Sequence, residues 1–91
     1  MYIHLGGNVV IRTDQIVGIF DLDTATIAKN TRETLAKAEK NGDVFPVTAD
    51  LPKSFILVED HERESGQKIY LSHLSSATLL KRATQGQRLR F

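Results

Sequence analysis

The stretch MYIHLGGNVVIRTDQIVGIFDLD, residues 1–23, decides the fold of this chain. It contains three short runs rich in β-branched residues, separated by clusters of glycine, asparagine and aspartate: Tyr2–Leu5, Val9–Ile11 and Ile16–Phe20. Such runs are typical of closely spaced β-strands joined by tight turns, and Gly6–Gly7 predicts the first turn. Because the first strand begins at residue 2, we expect no signal peptide or flexible leader.

Three further strands are predicted in the second half of the chain. The run Ser54–Val58 is continuously apolar, which indicates a central strand buried on both faces. Lys68–Leu71 alternates between apolar and polar residues and is predicted to pair with it through a polar hairpin over residues 60–66. Val44–Val47 contains Pro46, which cannot donate a ladder hydrogen bond, so this piece is predicted as an edge strand or an extended connection.

A first helix is predicted over residues 24–41. Thr24 is its expected N-cap, and Gly42 occupies the position where a left-handed residue often ends a helix. The stripe of residues expected to face the core is narrow and rich in alanine: Ala28, Thr31, Leu35 and Ala38. Such a face buries little area, so the core of the monomer should be thin.

A second, short helix is predicted over residues 77–84, with Ser75 as N-cap and Gly86 ending it. Its expected packing face consists of Leu79, Leu80 and Ala83. Residues 85–91 would follow as a short basic tail. The predicted order is therefore β-β-β-α-β-β-β-α, an α+β fold with one small antiparallel sheet and two helices in a single domain, residues 1–91.

Composition excludes several classes of protein. The chain has 91 residues, no cysteine and no run near the ~20 apolar residues of a membrane span. Disulfides and cysteine-based metal sites are therefore excluded, and we expect a protein of the cytoplasm that does not contact membranes. A domain this small without such staples often gains stability by self-association, so a homo-oligomer is expected.

No constellation of catalytic residues stands out. His61 lies among acids in the predicted hairpin, but a solvated turn explains this pattern better than a metal site does. Gly6–Gly7 lacks the following helix of a phosphate-binding loop. The sequence offers no activated nucleophile and no paired carboxylates, so we expect no enzyme activity, no cofactor, no metal and no small-molecule substrate.

Charge is divided unevenly along the chain, although the net charge is only +1. Residues 68–91 contain basic side chains and no acids, whereas residues 50–64 are rich in acids. This asymmetry suits an anionic partner, or head-to-tail contact between identical subunits. The basic residues best placed for phosphate contacts are Arg12, Lys53, Lys81 and Arg82. Each alone is more simply a solvated charge, but a symmetric oligomer would multiply them into one DNA-binding surface.

Four stretches resemble a known family: Met1–Gly6, Asp14–Asp21, Pro52–Ser54 and Leu74–Ala83. They are similar to the extracellular-matrix regulators of spore-forming bacteria, the RemA/RemB group, and most closely to its RemB-like branch. The resemblance implies a non-enzymatic regulator of biofilm matrix genes with a fold similar to LytTR-type DNA-binding domains. It also implies a ring-shaped oligomer that holds DNA through arginines repeated around the ring.

The chain departs from the RemA-like branch at the positions expected to contact DNA. That branch has a basic residue before the third strand and an arginine pair in the loop before the core strand, where this chain has Gln15 and Asp50–Leu51. Two functions therefore stay open. The basic tail favours a DNA-binding transcriptional regulator, and Asp50–Leu51 favours a ring-forming scaffold that has lost direct contact with DNA.

Overall fold

The structure is a computed structural model that describes residues 1–22 and 29–88. Its strands are β1 (Tyr2–Gly6), β2 (Val9–Arg12), β3 (Ile16–Asp21), β4 (Val44–Pro46), β5 (Ser54–Glu59) and β6 (Gln67–Ser72). Its helices are α1 (Lys29–Lys40) and α2 (Ser76–Arg88), and a short 3₁₀ turn, Thr13–Gln15, joins β2 to β3. The predicted α+β class and order of elements are confirmed.

A four-stranded sheet in the order β3-β5-β6-β4 forms the middle layer. The β1–β2 hairpin and α2 cover one face, where Leu5, Ile56 and Leu79 are completely buried in one cluster. On the other face, α1 contributes Ala38 to a second cluster with Phe55 and Ile69. The sheet is therefore covered on both sides, as the continuous apolar run of β5 predicted.

The central position of β5 is confirmed in detail. It pairs antiparallel with β6, and Phe55 lies opposite Leu71 in the register. Phe55 and Leu57 face α1, whereas Ile56 and Val58 face the β1–β2 hairpin. Because neighbouring residues of a strand point to opposite faces, one six-residue strand supplies both halves of the core.

The prediction of one antiparallel sheet is wrong in two respects. The first hairpin, β1–β2, forms a separate two-stranded sheet, and the edge strand β4 runs parallel to β6. As a result, β3 and β4 also run parallel to each other, at opposite edges of the sheet. Parallel strands need a crossover connection, and the segment that contains α1 supplies it. The predicted edge position of β4, which contains Pro46, is confirmed.

The end of α1 follows the prediction. Gly42 has a φ of 76°, and the amide of Asp43 donates to the carbonyl of Ala38 at 2.9 Å. This is the hydrogen bond of a Schellman motif, in which glycine takes the left-handed position without steric cost. The predicted N-cap, Thr24, lies outside the described residues.

The start of α2 is confirmed, and so are Leu79 and Ala83 of its packing face, whereas its end and Leu80 are not. The Ser75 hydroxyl accepts a hydrogen bond from the amide of Thr78 at 3.2 Å, which is an N-cap. The helix continues through Gly86 to Arg88, because a single glycine costs a helix only about 1 kcal/mol. Leu80 is exposed, since successive helical residues are rotated by about 100° and the hairpin covers only the side of Leu79. The predicted tail, residues 85–91, is thus helical over residues 85–88. None of the described helices is long and apolar enough to cross a membrane.

Candidate functional site

Arg12 is the last residue of β2, and it lies near the turn of the β5–β6 hairpin. Its side chain is exposed, and its Nε lies 3.1 Å from Oδ1 of Asp14. It lines an open groove of about 620 Å³ together with four acids, Asp14, Glu59, Asp60 and Glu62, and one further cation, Lys68. The charge of Arg12 is therefore partly balanced by its immediate neighbour, and the other acids lower the positive potential of this groove.

Lys53 lies at the other end of β5, directly before Ser54. Its backbone is fixed on both sides: the amide donates to the carbonyl of Ser72 at 2.8 Å, and its carbonyl accepts from the amide of Leu22 at 3.0 Å. The side chain is exposed and makes no ion pair with any residue that the structure describes. No ion pair within the described residues therefore competes with an anionic partner for this side chain.

The structure does not bring Arg12 and Lys53 together. Arg12 shares its groove with Glu59 at the end of β5, and a strand rises about 3.3 Å per residue. The six steps from Lys53 to Glu59 therefore span about 20 Å. In one subunit, the two predicted phosphate contacts form two separate basic points at opposite ends of the sheet.

Lys81 and Arg82 lie on α2, and both side chains are exposed. A guanidinium nitrogen of Arg82, Nη1, donates to the carbonyl of His4 in β1 at 3.2 Å. Lys81 makes no ion pair within the described part of the chain. The segment leading into α2 is held at the Lys53 end of the sheet, where the Ser54 hydroxyl donates to the carbonyl of Leu74 at 2.8 Å. Lys53 and the start of α2 thus share one end of the domain.

The loop of residues 47–53, hereafter the Lys53 loop, is held by its neighbours. The amide of Val47 donates to the carbonyl of Leu71 at 2.9 Å, and the Thr48 hydroxyl lies 3.4 Å from Nδ1 of His73. The β1–β2 turn packs against it so closely that a Cβ on Gly7 would lie 2.5 Å from the Val47 carbonyl oxygen. The glycines that predict this turn therefore also allow its close approach to the loop, which the sequence pattern did not reveal.

An ion pair that the sequence analysis missed joins the polar hairpin over residues 60–66 to the segment after α1. Asp43 is buried, and its Oδ1 lies 2.9 Å from Nε of Arg63. Arg63 also donates to the carbonyl of Gly42 at 2.8 Å, and its guanidinium lies 5.0 Å from the ring centre of Phe45. The Ser65 hydroxyl and the Arg63 guanidinium hold the pKa of Asp43 below its ordinary value, against the effect of burial. Arg63 thus links the hairpin to the end of α1, and its charge is paired with that of Asp43.

The predicted solvated hairpin tip agrees with the structure. The His61 side chain is 91% exposed, with its Nε2 3.9 Å from a carboxylate oxygen of Glu59. Lys68 lies 3.4 Å from a carboxylate oxygen of Asp60. Among the residues that the structure describes, no group of three or more histidines or acids is placed to hold a metal ion. Of the hairpin acids, Asp60 thus makes a local ion pair with Lys68.

Comparison with known proteins agrees with the resemblance of the sequence. The family model described as RemA-like, extracellular matrix regulatory protein A-like, matches residues 2–83. The chain is also 42% identical over 83 residues to Extracellular matrix regulatory protein B of Bacillus subtilis (strain 168), which covers 91% of this chain and 90% of that protein. The similarity thus includes both the β1–β2 hairpin and the first turns of α2. The chain belongs to the RemA-like family of extracellular matrix regulatory proteins.

Proposed function

We propose that this chain is a non-enzymatic regulator of extracellular matrix genes that binds double-stranded DNA as a ring-like homo-oligomer. Its family membership supports the regulatory role, since the family and its relative in Bacillus subtilis are both named as regulatory proteins. The observation that carries the DNA contact is the position of Lys53. It is exposed, fixed by backbone hydrogen bonds and free of ion pairs within the described residues. Cytoplasmic location and a LytTR-like fold belong to the same proposal.

The four basic residues contribute unequally in this proposal. Lys53 and Lys81 make no ion pair with a described residue, and Arg82 retains donors besides the one directed to His4. Arg12 is the weakest of the four, because Asp14 and the acids of its groove oppose the approach of a phosphate. Each subunit would then supply only a few phosphate contacts, and a ring would add the contacts of neighbouring subunits along one duplex.

A second function is favoured by one observation on the same loop. Leu51 is 86% exposed, and the acid Asp50 stands beside it. An acidic and apolar loop tip suits a protein partner better than a phosphate backbone. The alternative is therefore a ring-forming scaffold that regulates matrix genes through protein contacts and does not bind DNA.

A salt titration of DNA binding separates the two functions. Fluorescence anisotropy with random and promoter duplexes should show binding that falls steeply with salt, by about 0.9 log units per log unit of salt for each phosphate neutralised. Lys53→Ala should weaken binding to all sequences alike and flatten this slope. Lys37→Ala is the matched control, because Lys37 is an exposed lysine on α1, on the opposite face of the sheet from α2.

The same samples should be measured by light scattering. A mass several times 10.2 kDa is expected for the wild type and for Lys53→Ala. If no duplex is retained at low salt while this mass is found, the scaffold function is correct. A monomer would contradict both functions as stated, since each of them requires the ring.

A further inference from the structure

The Lys53 loop presents an exposed leucine next to an apolar cavity. Leu51 is 86% exposed, more than any other large apolar side chain in the described part of the chain. Directly beside it is an open cavity of about 250 Å³, lined by Pro46, Thr48, Ala49, Asp50, Pro52 and Leu71. Single exposed leucines are ordinary, but a leucine adjoining an empty apolar cavity has a matching site within reach of a second molecule.

The loop holds this arrangement before any partner arrives. Hydrogen bonds fix it at both ends, at Val47 and Lys53, and the amide of Asp50 donates to the Thr48 hydroxyl at 3.3 Å. Pro52 restricts the backbone after Leu51. A loop that is already ordered loses little further conformational entropy when a partner binds, so even a small contact area can be effective.

The charges on the loop complement each other. Asp50 lies just before Leu51 and Lys53 lies two residues after it; both are exposed and neither makes an ion pair with a described residue. A two-fold axis places the same surface of two copies face to face, so residue i meets residue j and j meets i. Under such an axis, Asp50 of each copy can meet Lys53 of the other while the apolar centres pack.

We infer that the Lys53 loop pairs with the same loop of a second copy, and that Leu51 of each copy enters the apolar cavity of the other. The cavity, at about 250 Å³, has room for the four carbons of a leucine side chain. Four water molecules in the liquid, at roughly 30 Å³ each, would occupy less than this volume. This two-fold contact goes beyond the proposed ring and does not require it. Because Lys53 is also the proposed phosphate contact, loop pairing and DNA binding would exclude each other at this residue.

Light scattering of the full chain at micromolar concentration tests the pairing. Leu51→Ser should weaken association about tenfold or more for each leucine that is no longer buried, and should halve the mass. Val17→Ser is the matched control: Val17 is also apolar and exposed, at 59%, but it lies on edge strand β3 away from the loop. This control should leave the mass unchanged.

Charge reversal gives a second and independent readout. Asp50→Lys alone should reduce the mass, because the introduced lysine of each copy then meets Lys53 of the other across the axis. Asp50→Lys combined with Lys53→Asp in the same chain should restore it, since the opposite charges face each other again. Asp50 and Lys53 are both exposed in the subunit, so these variants leave its core intact.

The outcomes distinguish this inference from the proposed ring. If Leu51→Ser halves the wild-type mass and leaves a ring, both the ring and the loop contact are supported. If Leu51→Ser converts a wild-type dimer to a monomer, the loop contact alone is supported. A ring whose mass no loop substitution changes overturns the loop contact and leaves the ring. Equal loss of mass with Val17→Ser, or no recovery in the doubly reversed variant, also overturns it.

Discussion

The two ends of β5 are opposite in character. Near its carboxyl end, three ion pairs form in and around the hairpin over residues 60–66: Asp43 with Arg63, Asp60 with Lys68 and Arg12 with Asp14. At its amino end, the Lys53 loop carries few charges, and its Lys53 and Asp50 make no ion pair with a described residue. The number of charged residues in a segment is therefore a poor guide to binding, because a charge that already has a partner has less to offer a ligand.

The largest expected effect is in the strand that holds the two ends together. Phe55 is 5% exposed and stacks on Phe20 with ring centres 4.8 Å apart. Phe55→Ala should lower the free energy of unfolding by about 3–5 kcal/mol, as expected for a truncated core aromatic. Urea denaturation followed by circular dichroism measures this change. Val17→Ala, on the exposed bulge of β3, should change it by less than about 0.5 kcal/mol. A decrease below about 1 kcal/mol at Phe55 would mean that β5 is not the centre of the core.

The next largest effect is expected when the ion pair of Asp43 with Arg63 is removed. The pKa of Asp43 is lowered in the folded protein by Ser65 and Arg63, so its ionised form stabilises the fold at neutral pH. This stability is present above the ordinary carboxyl pKa and is lost as the pH falls through the lower, folded value. Asp43→Asn should therefore lower the thermal midpoint at pH 7, and the difference from wild type should shrink as the pH falls below about 4. Thermal melts from pH 7 to pH 2 measure it, and a difference that does not vary with pH would exclude this role for the carboxylate.

A smaller effect compares the two ends directly in DNA binding. Lys53→Ala should weaken binding more than Arg12→Ala, because Arg12 already shares its charge with Asp14 and lies in an acidic groove. Removing one phosphate-binding side chain should reduce the slope of log affinity against log salt by about 0.9. Anisotropy titrations of both variants at several salt concentrations give this comparison. A greater weakening by Arg12→Ala would move the DNA contact to the hairpin end of the sheet.

Sequence patterns predicted the elements of this fold better than their arrangement. The apolar run of Ser54–Val58 and the glycine at position 42 are local signals, and each is reflected directly in the structure. The parallel pairing of β4 with β6 depends on where the crossover through α1 places a three-residue strand, and no local pattern encodes that. The extent of α2 was also misjudged, because Gly86 is a weak helix breaker that neighbouring turns can override.

The sequence predicted where two candidate site residues lie along the elements but not how far apart they lie in space, and their role in binding stays a prediction. Arg12 and Lys53 were both expected at junctions between strands and loops, and both are found there. Their separation along the length of β5 follows from the register, which is a long-range property. The pairing of Arg63 with Asp43 joins residues 20 positions apart, so no local pattern in the sequence reveals it.

The smallest expected effect concerns the ion pair of Arg12 with Asp14. Both side chains are more than half exposed, and exposed pairs of this kind contribute about 0–1 kcal/mol. Asp14→Asn should therefore leave the urea midpoint nearly unchanged, while it frees the guanidinium and removes one negative charge from the groove. If the paired state is what keeps Arg12 from phosphates, Asp14→Asn should strengthen DNA binding at low salt, and combining it with Arg12→Ala should abolish the gain. An equal gain without the arginine would show that only the net charge of the groove matters, and that the contrast between the two ends of β5 does not depend on which charges are paired.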